Sequence, residues 1–340
     1  MEWKEIVKLL AYPSDIVIIS HRNPDGDAIG SAWALKCYLE KKGHQAKVIL
    51  PSDYPEVYDF MPGLNQTIIY DRDSVNGLEY LKNANIVFLV DFNSLDRIDK
   101  VGIELSKLSV PTIMIDHHID PEPSADYLLW DTSASSTCEL VFQFLDDWDG
   151  LRELDMTISE FLYIGLLTDT GSFSYATTNK TFIVASKLLE HGVDNYYMHD
   201  MLYNAYSEKQ LKLLGYSLHD RMEVIPDLKA GIISLTKEDF KKFNIQRGDT
   251  EGIVNYILSI KGIQIAAFIT EQPGIIKYSF RSKGDYSVQQ LATKYFHGGG
   301  HKNASGGYDH FSLERAIKKF KKVLRLDLGI PNKETDKRAN

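Results

Sequence analysis

Three short aliphatic runs, Ile16–Ile19, Ile86–Val90 and Thr112–Ile115, each give way almost at once to aspartate and histidine. A fourth, Ala46–Leu50, does not. Aliphatic runs of this length without polar alternation belong to strands buried on both faces, as in a parallel sheet covered by helices. Helical stretches lie between them, such as Ala28–Lys42 closed by Gly43. Ser136-x-x-Glu139 and Thr157-x-x-Glu160 have the spacing of capping boxes that open two more helices. This alternation over residues 1–190 sets the fold class as α/β.

The polar residues at the run ends are the functional signal. Ligands of an open parallel sheet gather outside the carboxyl ends of its strands. Asp91 and Asp116-His117-His118 fall there, and HRNPDGDAIGS places His21, Asp25 and Asp27 just past the first strand. Thr168-Asp169-Thr170-Gly171 ends the helical pattern Phe161–Leu167. Taken singly, Asp25 and Asp27 read as turn residues, Asp91 as a helix cap, and the two histidines as core or surface. Jointly they read as a metal site. Carboxylates brought this close raise one another's pKa, and divalent cations remove that cost. Mixed carboxylate and imidazole ligands without cysteine favour Mn²⁺ or Mg²⁺, with Co²⁺ as a substitute, over a structural Zn²⁺. Two ions about 3.5–4 Å apart can bridge a nucleophilic water and clamp a phosphoryl group, with one carboxylate shared between them.

Composition narrows the partners. The 340 residues suffice for two domains, and the net charge of −9 argues against coating long duplex nucleic acid. No apolar run reaches the length of a membrane span, and the start MEWKE does not open a signal peptide. Two cysteines, Cys37 and Cys138, exclude a disulfide framework and point to a reducing, cytoplasmic setting.

After about residue 192 the pattern changes. Tyr196–Asp220 reads as a helical connector, followed by strands at Ala230–Leu235, Ile263–Glu271 and Ile275–Ser282. The last two meet at the turn Gln272-Pro273-Gly274. The expected division is a domain at 1–192, a helical linker at 193–222, a smaller α+β domain at 223–330 and a frayed tail at 331–340. In Ile275–Ser282, Lys277, Ser279 and Arg281 share one face, and Ile276, Tyr278 and Phe280 the other. Arg281 can grip a phosphate bidentately. A helix at Val288–Phe296 leads to Gly298-Gly299-Gly300-His301, where three glycines allow close approach of backbone to a ligand.

HRNPDGDAIGS, VDFNSLDR, IDHH and LLTDTGSF resemble the four successive motifs of the DHH phosphoesterase superfamily, and GGGHKNASGG resembles the glycine-rich loop of its DHHA1 domain. The similarity is strongest to the stand-alone nanoRNases, which also dephosphorylate 3′-phosphoadenosine 5′-phosphate. It implies a parallel-sheet DHH domain, a DHHA1 substrate domain and an active site in the cleft between them. It places His21, Asp25 and Asp91 on one metal, and Asp27, Asp91, His117 and Asp169 on the other. His118 would meet the scissile phosphate, and Asp116 would orient an imidazole from behind. Arg281, Gly298, Gly299, Gly300 and His301 would hold the substrate, an oligoribonucleotide of about two to five nucleotides or a nucleotide bisphosphate. A phosphodiesterase of cyclic dinucleotides or their linear products stands as the alternative. Less favoured are a manganese pyrophosphatase and a silent nucleotide-binding regulator. Homodimer formation is left open.

Overall fold

The computed structural model describes residues 3–331 apart from 120, 123, 124, 205 and 247. The tail expected at 331–340 lies, from 332 onward, outside the described residues. Two compact units divide the chain, Met1–Ala205 and Tyr206–Asn340.

The first unit holds strands β1 (Asp15–Ile19), β2 (Gln45–Leu50), β3 (Ile68–Ile69), β4 (Ile86–Val90), β5 (Thr112–Asp116) and β6 (Tyr127–Trp130). Its helices are α1 (Trp3–Leu9), α2 (Gly26–Lys41), α3 (Ser74–Asn83), α4 (Asp99–Leu105), α5 (Thr137–Asp149), α6 (Met156–Asp169), α7 (Asn179–Glu190) and α8 (Asn195–Tyr203). All strand pairs are parallel, in the order β3-β2-β1-β4-β5-β6. The chain leaves β1 toward one edge and returns at β4 toward the other, so the loops after β1 and β4 diverge and open a crevice. Each face of the sheet has its own core. Ile16, Ile18 and Phe88 pack with Ile29, Trp33 and Phe161 on one side, while Val17, Ile19 and Leu89 pack with Val101 and Leu105 on the other. Burial on both faces is what erased polar alternation from these strands. The edge strands β3 and β6 escaped the sequence reading. The first has two residues, and the second is only partly buried.

Two caps differ from expectation. The α6 N-cap is Asp155, which accepts from the Ile158 N–H at 2.9 Å. Thr157 therefore lies inside the helix, and its spacing to Glu160 forms no box. At α5, Ser136 accepts from the Glu139 N–H as a cap should. The Glu139 carboxylate, however, turns away to accept from Ser135 Oγ at 2.6 Å and Thr181 Oγ1 at 2.9 Å.

The second unit contains α9 (Glu208–Asp220), β7 (Met222–Ile225), β8 (Ala230–Leu235), α10 (Lys237–Lys242), α11 (Ile253–Leu258), β9 (Ile265–Gln272) and β10 (Ile275–Ser282). It continues with α12 (Val288–Tyr295), β11 (Gly299–His301), β12 (Ala304–Asp309) and α13 (Leu313–Asp327). The sheet order is β11-β12-β10-β9-β8-β7, with only β8 and β9 parallel. Along β10, Ile276, Tyr278 and Phe280 are buried, and Phe280 stacks on Phe320 of α13 at 5.8 Å. Lys277, Ser279 and Arg281 take the more open face. The glycine segment forms a strand where a loop was expected, with Gly299 opposite Gly306 and His301 opposite Ala304. No helix among the described residues is long and apolar enough to cross a membrane.

Candidate metal centre

The first motif follows β1 and runs into α2. Asp25 caps that helix, accepting from the N–H groups of Asp27 and Ala28 at 3.1 Å each. Asp27 lies in the first turn and is fully buried. Helices α2 and α6 approach closely enough to place Asp27 near Asp169, the last residue of α6. Gly165 allows this, because a Cβ there would fall on Cys138 Sγ and lie 2.6 Å from Asp27 Oδ1. Gly26 serves the same packing, since its Cβ would meet the Thr168 side chain at 2.5 Å. Its φ is not positive, so close approach, not backbone freedom between the two aspartates, explains that glycine.

Asp91 leaves β4 with φ +66, a left-handed conformation that costs a non-glycine residue about 1–3 kcal/mol and recurs at functional sites. The Asp91 N–H still donates to Ile115 O at 3.1 Å, tying it to the end of β5. Its two carboxylate oxygens face different neighbours. Oδ2 lies 3.4 Å from His21 Nε2, and Oδ1 lies 3.8 Å from His117 Nε2.

Both imidazoles are held from behind. His21 Nδ1 donates to Arg22 O at 2.9 Å, and His117 Nδ1 donates to Ala134 O at 3.4 Å. Each then presents Nε2 to the carboxylates, as metal-ligating histidines do. Among the described residues the buried His117 Nε2 has no well-aligned hydrogen-bond partner, although it lies 3.2 Å from Asp169 Oδ2 and 3.8 Å from Asp27 Oδ2. His118 Nδ1 donates to Asp116 Oδ1 at 2.7 Å, and its ring meets that of His117 edge-on at 5.0 Å.

Ligand atoms of His21, Asp25 and Asp91 lie within 4.8 Å of one another, as do those of Asp27, His117 and Asp169, and those of Asp91, His117 and His118. Asp91 and His117 thereby tie the groups into one cluster. Its electrostatics are those of crowded anions. Burial, then the charges of Asp27, Asp25, Asp169 and Asp116, push the Asp91 carboxyl well above the usual range. Burial and Asp27 likewise raise Asp169 to about 7. Burial lowers His21, whereas at His117 the pull of Asp169 and Asp27 outweighs burial and lifts the imidazole to about 9. A divalent cation would offset this repulsion. Oxygen and imidazole donors with an orphaned ring nitrogen fit such an ion.

Sequence reasoning missed the first turn of α5. The Thr137 N–H donates to Asp27 Oδ2 at 2.6 Å, the Cys138 N–H to Asp27 Oδ1 at 2.8 Å, and Thr137 Oγ1 to Asp91 Oδ1 at 2.9 Å. The only sequence signal was the helix-start spacing at Ser136, which says nothing about what the turn faces.

The expected substrate residues belong to the second unit. Arg281 Nη1 donates to Phe280 O at 3.0 Å. A Cβ at Gly298 would run into the backbone of Gly306, and Gly300 combines φ +137 with an Ala304 O only 2.7 Å from where its Cβ would lie. The hairpin itself thus demands glycine at both places, while Gly299 is comparatively open. The His301 side chain lies outside the described residues.

A doubly wound sheet with carboxylates and histidines clustered at its switch point has the make-up of a site for divalent cations. The model of the DHH family N-terminal domain matches residues 15–166, and that of the DHHA1 domain matches residues 230–326. The chain belongs to this DHH–DHHA1 family. A probable bifunctional oligoribonuclease and PAP phosphatase NrnA of Streptococcus mutans is 31% identical, covering 91% of this chain and 94% of its own. The Bacillus subtilis bifunctional oligoribonuclease and PAP phosphatase NrnA is 29% identical over 89% of this chain and 91% of its own. A solved structure of an exopolyphosphatase-related protein from Bacteroides fragilis superposes with a TM-score of 0.93 at 37% identity, covering 95% of both chains.

Proposed function

We propose that this chain is a cytoplasmic two-metal phosphoesterase that cuts short oligoribonucleotides to mononucleotides and removes the 3′-phosphate of 3′-phosphoadenosine 5′-phosphate. The observation that carries the reading is Asp91, whose two oxygens turn toward His21 on one side and His117 on the other. His21, Asp25 and Asp91 would hold one ion, and Asp27, Asp91, His117 and Asp169 the other, with Mn²⁺ best suited to the donor set. Bound there, the ions would supply an activated water and charge neutralisation at the phosphoryl group. The chain's own contribution is orientation. Asp116 accepts from His118 Nδ1 and so would orient the imidazole toward the scissile phosphate, where the imidazolium form could protonate the leaving oxygen. Arg281 and His301 bind the substrate's other phosphate, with the glycine hairpin beside them. Recognition of that second phosphate favours short substrates. The names of the Streptococcus and Bacillus relatives point to the same pair of substrates.

The test is a panel of 5′-labelled di- to decaribonucleotides, 3′-phosphoadenosine 5′-phosphate, and linear and cyclic dinucleotides, each with Mn²⁺, Mg²⁺ or chelator. Metal-dependent turnover greatest on the shortest RNA and on the bisphosphate supports the reading. Turnover confined to cyclic dinucleotides would replace it.

A further inference from the structure

We infer that Thr137 is a positioning residue that sets the metal-binding orientation of two carboxylates at once; the inference rests on the proposed metal site. It reaches both proposed ligand groups through hydrogen bonds, donating from its hydroxyl to Asp91 and from its N–H to Asp27. Thr137 is fully buried, and so is Asp27. Asp91 is nearly so, and its backbone takes the left-handed region with φ +66. A carboxylate with no donor at Oδ1 could turn about its last torsion, which is broad and soft. The Thr137 hydroxyl donates to Oδ1 at 2.9 Å, which lies 3.8 Å from both His117 Nε2 and His118 Nδ1, while Oδ2 lies 3.4 Å from His21 Nε2. At Asp27 the two N–H groups of the helix start take one oxygen each, fixing the plane of the carboxylate.

The turn that carries these donors is itself anchored. Ser136 caps α5, and the Glu139 carboxylate, diverted from the expected box, grips Ser135 in front of the cap and Thr181 on α7. The departure from the box thus has a structural consequence. It ties the donor turn to a second helix instead of to its own backbone. Partners of this kind behind metal ligands change metal affinity about 10–100-fold when removed.

The experiment compares Thr137→Val, which keeps the branched shape and loses the hydroxyl, with Thr137→Ser, which keeps the hydroxyl. Mn²⁺ affinity is read by calorimetry on chelator-stripped protein, with circular dichroism to verify folding. The expected result is a dissociation constant raised about 10–100-fold in Thr137→Val and within about threefold of wild type in Thr137→Ser. If Thr137→Val does not fold, Thr137→Ala removes the same donor without crowding and takes its place. Wild-type affinity in the hydroxyl-free variant, or equal loss in Thr137→Ser, would overturn the inference. Failure of the wild-type protein to bind Mn²⁺ would instead sink the metal-site reading on which it stands.

Discussion

At the scale of single residues, the chain separates groups that bind from groups that hold the fold. Arg281 and His301 belong to the first kind in the proposed function. Arg281→Ala and His301→Ala should each raise KM for a diribonucleotide about tenfold or more while largely sparing kcat, the signature of lost uniform binding. Steady-state kinetics would show it, and a fall in kcat alone would speak against the assignment. Asp239 belongs to the second kind. Its buried carboxylate accepts from Tyr216 Oη at 2.6 Å, Arg221 Nη2 at 2.7 Å and the Thr236 N–H at 2.8 Å. Burial works against the charge, but these donors prevail and hold the Asp239 carboxyl below its ordinary value. A depressed folded-state pKa means the stabilisation is in place above the unfolded value, about 3.9, and is lost as pH falls through the folded one. Asp239→Asn should therefore cost about 2–3 kcal/mol at pH 7 and markedly less near pH 3. Urea unfolding followed by circular dichroism at both pH values is the measurement, and an equal cost at both would refute the account.

Among the elements, the decisive contact is α2 against α6. Gly165→Ala would put a methyl group onto Cys138 Sγ and 2.6 Å from Asp27 Oδ1, so the Cys138 side chain or the Asp27 carboxylate would have to shift. The expected cost is about 1–3 kcal/mol together with weakened Mn²⁺ binding, checked by thermal unfolding and calorimetry. Unchanged values for both would mean that the helices have more room than their packing indicates. The sequence made several elements legible because burial pattern and element type coincided. Asp25 at the start of α2, Asp91 after β4 and His117 after β5 could be placed once those strands were recognised. The sequence was silent where the structure answers to tertiary neighbours. Nothing local marks Gly26 as a packing glycine, shows that Glu139 will reach Ser135 and Thr181, or reveals that Thr137 faces Asp91. The glycine triplet misled for a related reason. Glycine suits a loop locally, and only the approach of Gly306 and Ala304 makes it a strand.

For the molecule as a whole, the parallel sheet of the first unit carries the carboxylate and histidine cluster proposed to hold metal, and the mixed sheet of the second carries the proposed substrate contacts. All the proposed ligands come from residues 21 to 169, inside the unit Met1–Ala205. Order along the chain matters here. A strand order that reverses between β1 and β4 is what brings two proposed ligands 70 residues apart, His21 and Asp91, to within 3.4 Å. The most direct test is a titration of chelator-stripped wild-type and Asp91→Ala protein with Mn²⁺, following hydrolysis of a labelled diribonucleotide. The account predicts that wild-type turnover is absent without metal and saturates at about two ions per chain, and that Asp91→Ala falls by about a thousandfold or more at every metal concentration. Turnover that ignores the chelator, or Asp91→Ala turning over at near the wild-type rate with metal present, would contradict it.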